Sequence, residues 1–303
     1  MQHLVRNASL AIALAAAAGL SPQLGLNAAA AAEASPSDPT AAVIEQIVEA
    51  NHILAAKGIL DAMGHVSVRS PTNPAHFYMA WSVAPAQVTA CDIFEFDVAT
   101  GEPISSTFGM RPYAERSIHA GVYKVRPDLN AVLHSHDPEV VSFSVSQTPL
   151  RAVIHDAAFL GAGAPVFDSD GNGGDGTLLI NNMALATALA THLGPSENPV
   201  VLIRGHGDVV ASRSVPEMVT DALYVDKNAR VLRDAISLGS PIKYITPEEV
   251  AARNKAWGDY RGGANATHTR DWVQLVAQFG GMTPGLAESV PHPPPHGLPG
   301  CGS

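Results

Sequence analysis

Segments with the spacing of β-strands alternate with segments that have the spacing of α-helices along residues 40–238 of this 303-residue chain. Apolar residues recur every three or four positions in the predicted helices, which cover 40–60, 112–126, 176–194 and 215–238; Pro138 opens a further one. Short apolar or alternating runs predict strands over 64–69, 77–83, 92–98, 130–134 and 199–203, and strand resumes at 209–210. The alternation predicts a layered α/β domain, because helices must cover the faces of the sheet.

The first residues of the chain have the layout of a secretory signal. Arg6 precedes an apolar run from Ala8 to Leu20, and small residues that suit cleavage follow this run. We therefore expect residues 1–34 to be a signal peptide and the protein to be periplasmic or secreted. If this segment is only an alanine-rich extension, the protein is cytoplasmic instead.

The folded domain is expected over residues 35–270, and a C-terminal extension over 271–303. This extension ends in the sequence P-H-P-P-P-H-G-L-P-G-C-G, which we expect to be disordered because it is dense in proline and glycine. The two cysteines, Cys91 and Cys301, cannot form a disulfide framework. A bridge between them is not favoured, because Cys301 lies in the predicted tail.

The charge balance limits the kinds of partner. The chain has 18 Lys and Arg residues against 28 Asp and Glu residues, for a formal net charge of −10. Its basic residues are scattered singly, so it lacks the concentrated positive face that nucleic acid needs. Beyond the first residues, no apolar stretch is long enough to span a membrane. The expected partner is a small-molecule substrate, with neither nucleic acid nor a membrane.

Three of the thirteen histidines lie where predicted strands end. His134 and His136 flank Ser135 directly after one strand, and residues two apart in an extended chain point the same way. His206 follows another strand and lies between two glycines, which permit a sharp turn and a close approach of backbone. Three neutral imidazoles with an open position suit one catalytic divalent ion. Zinc is favoured, and iron, cobalt or manganese are alternatives.

These motifs resemble the class II aldolase and adducin head-domain family. The family includes fuculose-phosphate-type aldolases, pentulose-phosphate epimerases and metal-dependent aromatic-acid decarboxylases. The matching segments span about residues 40–240 and are G-H-V-S-V-R at 64–69, A-E-R-S-I-H around Glu115, H-S-H-D-P at 134–138 and R-G-H-G at 204–207. The resemblance implies a three-layer α/β/α domain with a mostly antiparallel central sheet, and a homotetramer. It also implies a metal held by the three histidines, with Glu115 as a ligand or acid/base group.

Such a site suits the making or breaking of a carbon–carbon bond beside a carbonyl. A divalent ion stabilises the negative charge of an enolate, and a carboxylate next to the ion moves the proton. Glu115, which lies in a predicted helix, is the catalytic candidate on the strength of the resemblance. Without it, Glu115 would be taken for an exposed residue paired with Arg116 or His119.

Two positions depart from the sugar-phosphate aldolases of the family. Those enzymes carry asparagine where this chain has His65, and serine where it has Ala114, and both groups help to hold phosphate. We therefore expect a substrate without phosphate, whose carboxylate contacts His65 and Arg69. The alternatives are that His65 caps a turn and that Arg69 lies on the surface. His155 is a further substrate-binding candidate, and a satisfied core histidine is its alternative.

The sequence thus predicts a metal-dependent carbon–carbon lyase, either a decarboxylase or a retro-aldolase. Its substrate would be a non-phosphorylated hydroxy, keto or aromatic acid, as in the decarboxylase-like branch of the family. A sugar-phosphate aldolase or epimerase is the alternative among enzymes. A non-catalytic scaffold of the adducin kind is the alternative of another class, although adducin head domains lack the metal-binding histidines.

Overall fold

A computed structural model describes residues 38–193, 200–261, 267–280, 293–294 and 296–301. The predicted signal peptide, residues 1–34, lies outside the described residues. The same is true of 281–292, which include the start of the predicted Pro- and Gly-rich tail. All structural statements below concern the described part of the chain.

Seven strands form one mixed sheet in the order β3-β2-β1-β4-β7-β6-β5. All neighbouring pairs are antiparallel except β5 and β6, which are parallel. The sheet is therefore mostly antiparallel, as predicted. The strands are β1 His65–Arg69, β2 His76–Ala80, β3 Ile93–Asp97, β4 Ala131–Ser135, β5 Val166–Phe167, β6 Val200–Ile203 and β7 Gly207–Ser212.

Helices pack on the sheet in two groups. One group contains α1, α3 and α5, with α5 lying against β4 and β7; the other contains α2 and α4, which pack on each other. The predicted three-layer α/β/α fold is confirmed. The helices are α1 Pro39–Ala56, α2 Arg116–Val125, α3 Pro138–Ser144, α4 Met183–His192, α5 Val215–Ser237, α6 Pro247–Arg261 and α7 Thr267–Leu275. Within the described ranges, none of them is both long and apolar enough to cross a membrane.

Strand β4 occupies the centre of the sheet, between β1 and β7. All five of its residues are buried, including the polar His134 and Ser135 at its end. Its register places His134 opposite His65 of β1, and Ser135 opposite Asp208 of β7. Polar side chains are thus concentrated at one end of an otherwise apolar central strand.

Helix α4 begins later than its sequence predicts. The helix was expected over 176–194 but starts at Met183, because the side chain of Asn182 accepts hydrogen bonds from the amides of Ala184 and Leu185 and caps it there. Residues before Asn182 form an irregular segment in which Leu178 has a positive φ of 63°. This segment passes beside the predicted metal ligands.

Other differences lie after β4. Residues His155–Leu160 form a 3₁₀ helix. Helices α6 and α7 and the two-residue strand β5 were not predicted. Strand β5 is too short to give a periodic signal, and α6 lacks the apolar stripe by which amphipathic helices are recognised.

Contrary to expectation, a disulfide joins Cys91 to Cys301. The residues around Cys301 lie against the domain: the His296 ring stacks 5.0 Å from that of Phe94, and His296 Nε2 donates to the Cys91 carbonyl at 2.8 Å. The two cysteines are 210 positions apart, so only these tertiary contacts bring them together. The pairing is therefore not visible in the cysteine spacing.

Gly121 of α2 provides a test of how the second helix group packs. A Cβ atom at this position would lie 2.6 Å from the backbone of Ala186 in α4, so the two helices can approach this closely only at a glycine. We expect Gly121→Ala to lower the free energy of unfolding by about 1–3 kcal/mol, the usual cost of overpacking. Urea unfolding measures this cost.

Gly171→Ala is the matched control, because a Cβ atom there meets nothing within 4 Å. Equal losses in the two variants would contradict the packing described for α2 and α4.

Candidate metal centre

Strand β4 delivers two imidazoles to one end of the sheet. His134 is fully buried within the strand, and His136 is partly exposed just beyond its end. Their ring centroids are 4.9 Å apart. The i, i+2 spacing therefore places both side chains on the same side, as the extended backbone requires.

His206 arrives from the turn between β6 and β7. Gly205 adopts a positive φ of 64° in this turn. A Cβ atom at Gly207 would lie 2.0 Å from the Ser135 carbonyl oxygen, so β7 can approach β4 only with glycine at this position. Both glycines thus have the roles expected of them. The His206 ring lies 5.0 Å from that of His136 and 5.1 Å from that of His134.

Glu115 completes the group from the start of α2. Glu115 is the residue immediately before the helix. The sequence had instead predicted that it lies within the helix. Its Oε1 accepts a hydrogen bond of 2.7 Å from the amide of Ile180. Its Oε2 lies 3.3 Å from His206 Nε2 and 3.6 Å from His134 Nε2. One carboxylate oxygen is therefore held by backbone, while the other faces the imidazoles.

Glu115 does not form the surface pairs considered as its alternative. Arg116 pairs instead with Glu102, and His119 is fully buried against residues of β1. The carboxyl group of Glu115 is itself buried. Burial raises its pKa, whereas positive charge at His134 and His206 would lower the pKa far below the usual range. A cation beside Oε2 therefore keeps Glu115 a carboxylate.

Each of the three imidazoles is anchored through Nδ1. His134 Nδ1 lies 2.9 Å from the carbonyl of Asp208, and His206 Nδ1 lies 2.9 Å from the carbonyl of Leu178. His136 Nδ1 lies 3.1 Å from the carboxylate of Asp61. Carbonyl and carboxylate oxygens only accept, so each Nδ1 donates its proton. In the neutral rings, every Nε2 therefore presents a lone pair.

These lone pairs converge on a common point. Ligand atoms of Glu115, His134, His136 and His206 all lie within 4.8 Å of one another. Nε2 of His136 and Nε2 of His206 are only 3.2 Å apart, and the buried Nε2 of His134 has no hydrogen-bond partner among the described residues. A buried nitrogen without a partner is costly, and facing lone pairs repel. A divalent cation held by three imidazoles and one carboxylate satisfies all of these atoms.

His65, one of the predicted substrate-binding residues, lies beside this group. Its ring is buried 5.2 Å from that of His134 and 4.5 Å from that of Tyr113. Its Nδ1 is 2.7 Å from Nε2 of His119. Burial and the neighbouring histidines lower its pKa well below the usual value, so the ring is neutral. His65 does not cap a turn, which was its alternative assignment.

Arg69 has a structural position at the other end of β1. Its guanidinium donates to the carbonyls of Leu129, Pro74, Tyr123 and Arg126 at 2.7–3.3 Å. The side chain is buried rather than on the surface. This corrects the expectation that Arg69 contacts a substrate carboxylate. Its guanidinium donors already bind four backbone carbonyls.

His155 lies outside the group as well. Its side chain is 68% exposed at the start of the 3₁₀ helix, with Nδ1 3.4 Å from the neighbouring carboxylate of Asp156. It is neither a core histidine nor one of the four converging residues. The role of His155 in substrate binding stays a prediction.

Sequence reasoning missed the residues that orient the ligands. Asp61 precedes β1 in a short turn, and its Oδ1 also accepts from the amides of Met63 and Gly64. The Leu178 carbonyl and the Ile180 amide come from the segment that was predicted as helix. No motif marks these residues, because two of the contacts use backbone atoms.

Comparisons with known proteins agree with this geometry. The family model for the class II aldolase and adducin N-terminal domain matches residues 45–232. The decarboxylase tropJ of Talaromyces stipitatus is 32% identical over 214 residues, 67% of this chain and 79% of that protein. The 3,4-dihydroxyphthalate decarboxylase of Arthrobacter keyseri is 28% identical over 221 residues, 68% of this chain and 84% of that protein.

The fold is also found among solved structures. An L-fuculose 1-phosphate aldolase from Glaciozyma antarctica superposes with a TM-score of 0.64 at 21% identity, over 80% of this chain and 93% of the aldolase. At this identity the likeness concerns the fold alone.

The sheet, the converging side chains and these matches define a metal-dependent lyase. The chain belongs to the class II aldolase and adducin N-terminal domain family, and the predicted resemblance is confirmed. The predicted enzyme class is confirmed with it, because its relatives include named decarboxylases.

Asp61→Asn tests the anchoring of His136. The uncharged asparagine side chain would accept a weaker hydrogen bond from His136 Nδ1 than the carboxylate does. We therefore expect metal affinity to fall by about 10–100-fold, as for other residues that orient metal-bound histidines. Competition with a chromogenic chelator measures the affinity, and elemental analysis should give one divalent ion per wild-type chain. Asp156→Asn removes a carboxylate beside His155 and is the matched control. Unchanged affinity in Asp61→Asn would contradict the anchoring role.

Proposed function

We propose that this protein is a metal-dependent decarboxylase of a hydroxylated, non-phosphorylated aromatic acid. The observation that carries this proposal is the convergence of three Nε2 lone pairs and the Glu115 carboxylate beside a buried, neutral imidazole, His65. The proposal is supported by the names of relatives that act as decarboxylases, two of which match more than two thirds of this chain.

Residues of this chain define where the substrate would bind. His134, His136 and His206 would hold the ion, with Glu115 beside it. When bound, the ion supplies a Lewis acid that draws electron density from substrate oxygens as the carbon–carbon bond breaks. Zinc suits these ligands best, and iron, cobalt or manganese would also bind to them. Adjacent oxygens, such as a carboxylate and a neighbouring hydroxyl, would chelate such an ion.

Glu115 is placed to move the proton. Its Oε1 is fixed by the Ile180 amide, so Oε2 can accept the proton of a substrate hydroxyl. Loss of carbon dioxide leaves the bonding electron pair on the ring carbon. The same Oε2 can then return the proton to that carbon, which balances the reaction without another acid.

The His65 position favours a substrate without phosphate. In the sugar-phosphate aldolases that the sequence resembles, an asparagine here helps to hold phosphate. His65 instead presents a neutral ring whose Nδ1 is already engaged by His119. One remaining ring nitrogen can contact a single oxygen, which suits a carboxylate or phenol better than the three oxygens of a phosphate group.

Carbon dioxide release tests the proposal. We expect wild-type protein supplied with zinc or manganese to release carbon dioxide from ortho-hydroxylated aromatic acids, beginning with 3,4-dihydroxyphthalate. Glu115→Gln should lower kcat by about 100-fold or more, the usual contribution of general acid–base catalysis. Glu45→Gln changes an exposed glutamate of α1 and is the control.

Other outcomes of this assay identify the alternatives. Aldehyde released from a sugar phosphate, with no carbon dioxide from any acid, would identify an aldolase. Wild-type protein that stays free of metal when supplemented would favour a scaffold of the adducin kind.

We also propose that the protein is exported and assembles as a homotetramer. The sequence pattern of residues 1–34 and the pairing of Cys91 with Cys301 support export, because disulfides persist in oxidising compartments. Mass spectrometry should find a mature chain that begins near Glu33 or Ser35 and has no free thiol. Protein made in a reducing cytoplasm is the control and should carry two thiols. An intact N-terminus in the cytoplasmic fraction would contradict export.

Light scattering measures the subunit number, and a mass of four chains is expected for the homotetramer.

A further inference from the structure

A buried chain of four polar side chains runs away from the metal centre. We call His65, His119, Ser67 and Tyr123 the histidine relay. His65 Nδ1 lies 2.7 Å from His119 Nε2, His119 Nδ1 lies 2.6 Å from Ser67 Oγ, and Ser67 Oγ lies 2.8 Å from the hydroxyl of Tyr123. All four residues are at most 3% exposed. A polar chain this deeply buried needs a consistent set of donors and acceptors.

Only two arrangements of protons satisfy the histidine relay. Both rings are buried, which disfavours a charged imidazole and lowers the pKa of His119 to about 3, so each neutral ring carries one proton. In one arrangement all donors point from Tyr123 toward His65. In the other they all point from His65 toward Tyr123.

The position of Tyr123 selects between the two arrangements. In the first, its hydroxyl donates to Ser67 Oγ at 2.8 Å; in the second it must donate to the Asn130 carbonyl, which is 3.5 Å away. A hydrogen bond of 3.5 Å between oxygens is weak. The first arrangement is therefore favoured: Ser67 donates to His119 Nδ1, and His119 Nε2–H donates to His65 Nδ1.

We propose that the histidine relay locks His65 in the tautomer with its proton on Nε2, so that Nε2–H donates a hydrogen bond to an anionic oxygen of the substrate. Nδ1 of His65 is occupied by His119, and none of the described residues hydrogen-bonds its Nε2. The ring lies beside His134, so this donor is adjacent to the metal centre. The inference rests on the proposed function, whose substrate supplies the anionic oxygen.

The histidine relay acts as a lock rather than as a path for protons. Passing a proton from His65 to the substrate along the whole chain would leave Tyr123 as a buried tyrosinate. Burial raises the pKa of Tyr123, so this anion is disfavoured. His119, Ser67 and Tyr123 are thus positioning residues, and only His65 contacts the substrate.

The tautomer can be read directly by nuclear magnetic resonance. Two-bond ¹⁵N–¹H correlations of the zinc-loaded protein, labelled with ¹⁵N-histidine, show which ring nitrogen carries the proton. The signals of His65 are assigned by their loss in His65→Asn, which introduces the residue that related aldolases have. We expect the proton of His65 on Nε2 and a bare Nδ1. A proton on Nδ1 would overturn the proposal.

Ser67→Ala tests the origin of the lock. Without the serine hydroxyl, the donor to His119 Nδ1 is lost and His119 can carry its proton on either nitrogen. The Nε2–H tautomer of His65 should then fall to roughly half of the population if the two tautomers are equal in energy. Tyr78→Phe removes another buried hydroxyl, from β2 and outside the histidine relay, and should leave the tautomer unchanged. The same spectrum for both variants would show that the relay does not set the tautomer.

Steady-state kinetics test the contact with substrate. His65→Phe keeps a ring but loses the donor, and should raise KM by roughly tenfold, the loss expected for one hydrogen bond to a charged oxygen. His65→Asn retains a donor and should recover part of this loss. Unchanged KM in His65→Phe would overturn the substrate contact. If wild-type protein released no carbon dioxide, the proposed function would fail, whereas the tautomer measurement would still decide whether the lock exists.

Discussion

The pairing of β4 with its two neighbours is the constraint on which the site depends. One register sets His134 opposite His65 and Ser135 opposite Asp208. A shift by one residue would turn His134 to the other face of the sheet and remove its imidazole from the metal centre. The absent side chain of Gly207 allows this register, because any Cβ there would meet the Ser135 carbonyl. The positions of the metal-binding side chains therefore depend on the backbone register of β4.

Hydrogen-bond acceptors around the site orient the three histidines as metal ligands. Carbonyls of Asp208 and Leu178 and the carboxylate of Asp61 each accept a hydrogen bond from one Nδ1–H, which leaves every Nε2 free to bind a cation. The amide of Ile180 performs the complementary task by holding one oxygen of Glu115. The metal centre is thus specified as much by atoms that never touch the ion as by those that would.

Sequence reasoning found the parts of the site that are carried by side chains in recognisable motifs. The three histidines and Glu115 converge, and the sheet is mostly antiparallel as expected. Sequence reasoning failed where the position of a side chain or helix end depends on tertiary contacts. Arg69 looked available for substrate but binds four carbonyls. The segment before Met183 has helical composition, yet the helix begins only after the Asn182 cap, which leaves backbone atoms of Leu178 and Ile180 free to orient two ligands. Local propensity cannot report such contacts.

Apart from the neighbouring His134 and His136, the converging residues are far apart along the chain. Glu115, the His134 and His136 pair, and His206 come from three separate segments, which the folded sheet brings together. The unfolded chain retains only the local pair of His134 and His136, so it binds the ion more weakly than the assembled group does. Binding would consequently stabilise the native state, by an amount that grows with the logarithm of free metal concentration. The supply of metal in the compartment where the chain folds would then help to set how long the folded enzyme persists.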